Sequence, residues 1–252
     1  MKVHRLFIAV AALGVLAALP HSASAAEVGV LCSTALRAVA EELFAQFAKT
    51  TGHKVVAQYG LAAVQKQKAE SGEPFDVVFV TPPLLDDLIK QGKVAADSRA
   101  VVARTGLAFI IKAGAHKPDV GTVDAFKKTL LDAKSITYAK TGASGVLFAG
   151  IAEKLGIAQA LAPKTLATSV GEEASANVVS GKAELGVLPL SEILPVKGAE
   201  VGGMFPSDVQ QYIVMAGGVS ASAAQGAPAR DLLKFVTAPA ASTVLKAKGM
   251  ER

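Results

Sequence analysis

The stretch VGVLCSTALRAVAEELFAQFAKTTGHKVVAQYG, residues 28–60, decides the fold. Val28 to Leu31 is a short apolar run of strand type. After it Leu36, Val39, Ala40, Leu43, Phe44 and Phe47 recur at the i, i+3, i+4 spacing of a helix with one buried face. Thr51-Gly52 stops the helix and Lys54 to Gln58 resumes as a strand. Leu61 to Glu70 supplies a second helix, ended by Ser71-Gly72. Phe75 to Val80 is a third strand, broken by Pro82-Pro83, with Leu84, Leu85, Leu88 and Ile89 stacked on the helix that follows. Alternating β and α units predict a parallel sheet covered by helices on both faces.

Farther along, Val101 to Ile111 is apolar except at Arg104-Thr105-Gly106. It reads as two extended segments joined at a bend, the first crossing into a second body. There follow a helix over 123–131, a strand over 135–139, a helix over 144–155, a strand over 166–169, a helix over 172–180 and a strand over 185–188. Two extended pieces, 199–204 and 211–219, suit the return crossing, and helices over 229–236 and 239–248 finish the chain. The expected fold is α/β with two lobes, each a mostly parallel sheet flanked by helices, joined by two hinge crossovers. Lobe I is assigned residues 26–103 plus 217–252, and lobe II residues 104–216.

The amino terminus carries an address. Lys2 and Arg5 precede an apolar run from Leu6 to Leu19, and Ala23-Ser24-Ala25 has the small-x-small pattern of a cleavage site, so residues 1–25 read as a secretory signal peptide. The run is too short for a membrane span, which takes roughly 17–25 residues. The expected location is the periplasm. Of 26 Lys+Arg and 21 Asp+Glu, a formal charge of +5, the leader holds Lys2 and Arg5, which leaves +3. The basic residues are scattered singly, without the stripe and interleaved aromatics of a nucleic-acid binder, so no nucleic-acid partner is expected. A single cysteine, Cys32, cannot form an internal disulfide and ends an apolar strand as a buried inert thiol.

In open parallel sheets ligands gather where strands end and helices begin, because the first turn of a helix leaves backbone N–H groups unpaired and its dipole favours negative charge. The loops of that kind hold Ser33, Thr34 and Ala35; Tyr59, Gly60 and Ala62; Thr81; Ser144 and Gly145; Gly171; and Pro189 and Ser191. Serine and threonine at helix starts are also the commonest N-caps, so it is the convergence of several loops that points to a small anionic ligand. Arg37, Lys66 and Lys140 are the basic residues nearest these loops. Catalytic and metal motifs are missing: beyond the leader the histidines are His53 and His116, with no HExxH, GxSxG, phosphate-loop or dinucleotide signature. Asp86-Asp87 and Glu172-Glu173 read as solvated helix faces. The reading is a binding protein that needs no cofactor, with no catalytic residues and no metal; the alternatives are a periplasmic enzyme or a sensory receptor subunit on the same scaffold.

The order of segments resembles the bacterial molybdate-binding protein family of periplasmic solute-binding proteins from about Val28 to Gly249. The resemblance rests on Val28 to Leu36, Phe47 with Thr51-Gly52, the 72–80 segment with Asp76, Ala133 to Tyr138, Lys154-Leu-Gly156, Glu184-Leu-Gly186 and Gly249. It implies a type 2 binding-protein fold and a monomer that delivers its ligand to the membrane permease of an ABC transporter. Family members hold a tetrahedral oxyanion with serine hydroxyls from the first two loops, backbone N–H groups and a tyrosine. The matching positions here are Ala35, Ala62, Ser144, Gly171 and Pro189, with Ser33, Thr34, Tyr59 and Ser191 beside them. This departure implies a divergent member whose ligand is a different oxyanion or an organic acid.

Overall fold

The computed structural model describes residues 25–252, so the expected leader lies, apart from Ala25, outside the described residues. The first lobe opens with β1 (Glu27–Ser33), α1 (Arg37–Thr51), β2 (Lys54–Gly60), α2 (Ala62–Glu70), β3 (Val77–Val80) and α3 (Pro82–Lys90). The stripe Val39, Ala40, Leu43, Phe44 and Phe47 is the buried face of α1. Gly52 ends that helix at φ 77°, a left-handed position that a side chain rarely tolerates. All four residues of β3 are buried, whereas β2 alternates between exposed and half-buried at the sheet edge. A 3-10 turn over Thr34–Leu36, not foreseen in the sequence, carries the chain from β1 into α1.

The long strand β4 (Ala100–Lys112) then leads into α4 (Val123–Asp132), β5 (Ile136–Ala139), α5 (Ala143–Lys154), α6 (Ala158–Leu161), β6 (Thr165–Thr168), α7 (Gly171–Val179), β7 (Leu185–Pro189), α8 (Leu190–Ile193) and β8 (Ala199–Met204). The chain returns through β9 (Tyr212–Val219) and ends with α9 (Gly226–Thr237) and α10 (Ser242–Ala247). Strand order is β2-β1-β3-β9-β4-β7-β5-β6, with β8 also on β4. The βα units pair in parallel, β1 with β2 and β3, and β5 with β6 and β7, while β9 runs antiparallel between β3 and β4. This is a mixed α/β fold in two lobes, each built on a parallel triplet.

Two expectations about the crossings are corrected. Val101 to Ile111 is not a bent pair of segments but part of one continuous strand that changes partners. Ala100 to Gly106 pairs with β9, and Leu107 to Lys112 with β7 and β8. Arg104-Thr105-Gly106 does not break it because each polar group is engaged: Arg104 shares two backbone hydrogen bonds with Glu251, and the Thr105 hydroxyl donates to the Gly249 carbonyl at 3.0 Å. The second correction concerns 199–204, which makes no crossing: it stays in the second lobe as β8, paired with Ala108 to Lys112 of β4, so β9 alone makes the return. Beside the crossing the Gln210 side chain accepts from Leu107 N at 2.9 Å and donates to the Leu107 carbonyl at 3.1 Å. It completes the ladder where β4 switches neighbours.

Aromatic residues fill both lobes. Phe44 lies 6.0 Å from Phe79 in the first lobe, and Phe109, Phe126 and Phe205 lie within 4.6–5.4 Å of one another in the second. Phe79 and Phe109 are fully buried, each contributing roughly 1.5–3 kcal/mol in transfer terms. Buried Asp76 ties the first lobe together: its carboxylate accepts from Gly29 N and from Gln225 N, both at 2.8 Å. Among the described residues no helix is long and apolar enough to cross a membrane.

Candidate ligand-binding cleft

Five loops meet where the carboxyl ends of the parallel strands of both lobes face each other. Ser33, Thr34 and Ala35 follow β1, Leu61 and Ala62 follow β2, Gly142 to Ser144 follow β5, Gly171 begins α7, and Pro189 ends β7; Ile213 of β9 forms the floor. Together they enclose about 20 Å³, the scale of one water molecule, so the lobes stand closed on each other. Among the described residues no Lys or Arg lines this space.

The capping residues at these helix starts are Ser33, Leu61, Gly142, Val170 and Pro189, and none donates or accepts a side-chain cap bond. Capping therefore does not explain the hydroxyls. Ser191 spends its hydroxyl differently, donating across the lobes to the Ala35 carbonyl at 2.8 Å. Arg37 of α1 reaches Glu172 of α7 at 3.3 Å, another bridge between lobes, while holding Glu41 at 3.1 Å.

Of the residues singled out in the sequence, Ser33, Thr34, Ala35, Ala62, Ser144, Gly171 and Pro189 line the cleft, and Ser191 lines the groove beside it. Four are not brought there. Tyr59 lies under the Arg37 guanidinium, 4.8 Å from ring centre, against the outer face of α1. Gly60 packs on Gln65, Thr81 precedes α3 without lining the cleft, and Gly145 presses on β5, where a Cβ would stand 2.0 Å from the Ala139 carbonyl. Gly145 is thus a packing residue. Lys66 is paired with Glu70 at 2.5 Å and Lys140 is exposed. Cys32 is fully buried, and burial pushes its thiol far above the usual range, as an inert core residue requires.

Sequence reasoning missed Glu192. It is half-buried on α8 and lines both the cleft and an adjoining groove of about 570 Å³, which also holds Thr34, Arg37, Glu41, Gly171 and Glu172. Removal from water, with the like charge of Glu172 adding to it, pushes its carboxyl up to about 7, against a hydrogen bond from Thr34 that pulls the other way. Glu172, taken as a solvated helix face, is exposed yet joins the lobes through Arg37. The available signal for Glu192 was a carboxylate placed three residues beyond the end of the apolar run Leu185 to Pro189, on a helix too short to be recognised.

A closed cleft between two α/β lobes, lined by helix starts, defines a solute-binding protein, and the comparisons agree. The model of the bacterial extracellular solute-binding protein family matches residues 28–251, and the chain belongs to that family. The chain is 32% identical over 180 residues to an aconitate isomerase from Pseudomonas sp, covering 71% of this chain and 68% of that protein. It is 30% identical over 235 residues to the molybdate-binding protein ModA of Azotobacter vinelandii, covering 90% and 91%. Among solved structures the periplasmic molybdate-binding protein of Azotobacter vinelandii superposes with a TM-score of 0.77 at 23% identity, over 89% of this chain and 99% of that one. The sulfate-binding protein SubI of Mycobacterium tuberculosis gives 0.73 at 18%, over 89% and 86%. These structural likenesses establish the type 2 binding-protein fold.

Proposed function

We propose that the chain is the periplasmic receptor of an ABC-type uptake system and holds a small anion in the cleft, by helix-start N–H groups in place of ionic side chains. The observation that carries this is the meeting of five helix starts on one space, four of them without a side-chain cap, where among the described residues no lysine or arginine stands. Lobe I, 26–103 with 217–252, and lobe II, 104–216, close as rigid halves about β4 and β9. The protein works as a monomer, exported by its leader, and passes its ligand to a membrane permease. Because Ala35 and Ala62 stand where the molybdate-binding family has serines, the ligand is a different oxyanion or an organic acid. Calorimetric titration and thermal melting against molybdate, tungstate, sulfate, phosphate and a panel of carboxylates that includes aconitate test this. Saturable binding by at least one, with a raised Tm, is expected; no shift with any of them contradicts the reading.

A second reading is an isomerase acting on an unsaturated polycarboxylate. It is supported by Glu192, a cleft carboxylate held near neutrality as a general base requires, and by the likeness to the aconitate isomerase. Incubating the protein with cis- or trans-aconitate and following the isomer ratio by proton NMR separates the two readings. Turnover lost in Glu192→Gln establishes the enzyme; an unchanged ratio leaves the receptor.

A further inference from the structure

Glu192 stands at the one place where cleft and groove share a wall. Its carboxyl lies so close to the first residue of α7 that a Cβ on Gly171 would sit 2.4 Å from Oε2, and Thr34 approaches it from the other lobe. An anion drawn to the start of α7 therefore comes to rest beside this group. An ionised carboxylate only accepts hydrogen bonds and repels an anion, whereas the neutral acid has an O–H to donate.

The charged groups facing Glu192 do not neutralise it. Glu172 of α7 adds negative charge, and Arg37 is already divided between it and Glu41 of α1. The other charged groups on neighbouring elements are turned elsewhere: Glu173 to Ser169 N, Arg104 to Glu251, Glu200 to Gly114 N and Lys248 to Glu42, with Lys112 exposed at the end of β4. We infer that anion capture is proton-coupled, Glu192 entering the complex as the neutral acid that donates its O–H to the ligand, one proton taken from water for each anion bound above neutral pH.

The balance is simple: the carboxylate of the free protein gains a proton from solvent, and the resulting O–H makes a hydrogen bond to an oxygen of the anion. In the free protein the carboxyl, pushed up to about 7, is near half-protonated at neutral pH, so a bound anion tips it fully to the acid. Affinity should be flat below that point and fall by up to about tenfold per pH unit above it. This inference rests on the anion-receptor reading.

The test measures binding of molybdate, sulfate and trans-aconitate to the native chain and to Glu192→Gln between about pH 6 and pH 8.5, in two buffers of different ionisation enthalpy. The variant keeps a donor at the position and subtracts any proton that a probe carries itself. Expected are affinity that is flat near pH 6 and falls above about pH 7, and proton uptake that climbs from near zero toward one over the same range in the native protein, with both lost in the variant. An infrared carbonyl band of a neutral carboxyl, growing when the probe is added above neutral pH and missing from the variant, accompanies them. Native affinity that does not change with pH, or an equal proton count in both proteins, overturns the inference and leaves the receptor reading intact. Failure of every probe to bind either protein at any pH overturns the anion reading and the inference with it.

Discussion

The start of α4 and the start of α5 are two helix ends treated in opposite ways. At α4, away from the cleft, Thr122 turns its hydroxyl to Ala125 N at 3.1 Å and closes the first turn. At α5, in the cleft, Gly142 occupies the same position and offers nothing. Two other helices outside the cleft satisfy or delete donors at their starts, since Asp76 accepts from the residue that leads into α9 and α3 begins with Pro82-Pro83, which have no N–H, whereas α6 and α10 carry no side-chain cap. In the cleft α2, α5 and α7 have no such side-chain acceptor at their capping positions, while Ser191 N of α8 donates to the Thr105 hydroxyl at 3.3 Å. A cap is worth about 1 kcal/mol, so leaving several absent at one place costs stability that a ligand can return on binding. The meeting of several such starts on one space, not a missing cap by itself, marks the site.

The largest effect that would sharpen this contrast is at Asp76. Replacing it by Ala strips Gly29 N and Gln225 N of their acceptor, and about 3 kcal/mol of stability should disappear in denaturant titration while ligand affinity in the folded protein is kept. Glu192→Gln should act in the opposite direction and only at higher pH. Its folded value near 7 lies above the ordinary 4.5, so below 4.5 the group is protonated in both states and contributes nothing. Between those values the unfolded chain releases the proton that the native state retains, and stability declines as pH rises, by up to about 3 kcal/mol above 7. The variant should therefore melt higher than the native chain at pH 8 and alike at pH 4; equal melting at both would show Glu192 to be well solvated. Ser144→Pro deletes one N–H from the start of α5 and should weaken binding about tenfold, roughly 1.5 kcal/mol, with little change in Tm. Thr122→Ala is its mirror image, a loss of about 1 kcal/mol in stability with no change in affinity. The smallest effect belongs to Arg37→Gln: the bridge to Glu172 is exposed, so closure should be favoured by less than about 1 kcal/mol, and salt should erase the difference.

Much of the fold was legible because its elements are locally consistent. The Leu36 to Phe47 stripe, the glycine stops and the buried strand Val77 to Val80 each have one interpretation. What could not be read was partnership. Val101 to Ile111 has the same apolar pattern whether it breaks at a bend or runs on as one strand, and the strands it pairs with, β7, β8 and β9, all lie far along the chain. Likewise 199–204 is extended whether it crosses or stays, and its pairing with Ala108 to Lys112 decides between them. In the cleft, the small residues Ala35, Ala62, Ser144 and Gly171 were legible from their places after strands. Tyr59 was drawn to the site by its position beside Gly60, but its side chain alternates to the α1 face and stacks on Arg37. Glu192 escaped notice because its significance lies in what surrounds it, the start of α7 and a hydroxyl from the other lobe, and neither is near it in sequence.

Amide chemical shifts during titration with a bound anion test the central claim most directly. The N–H resonances of Ala62, Ser144 and Gly171 should move downfield as they take up hydrogen bonds to the ligand, while that of Ala125, already held by Thr122, stays where it is. Binding that leaves those three resonances unmoved, or that acts equally on Ala125, would contradict the account.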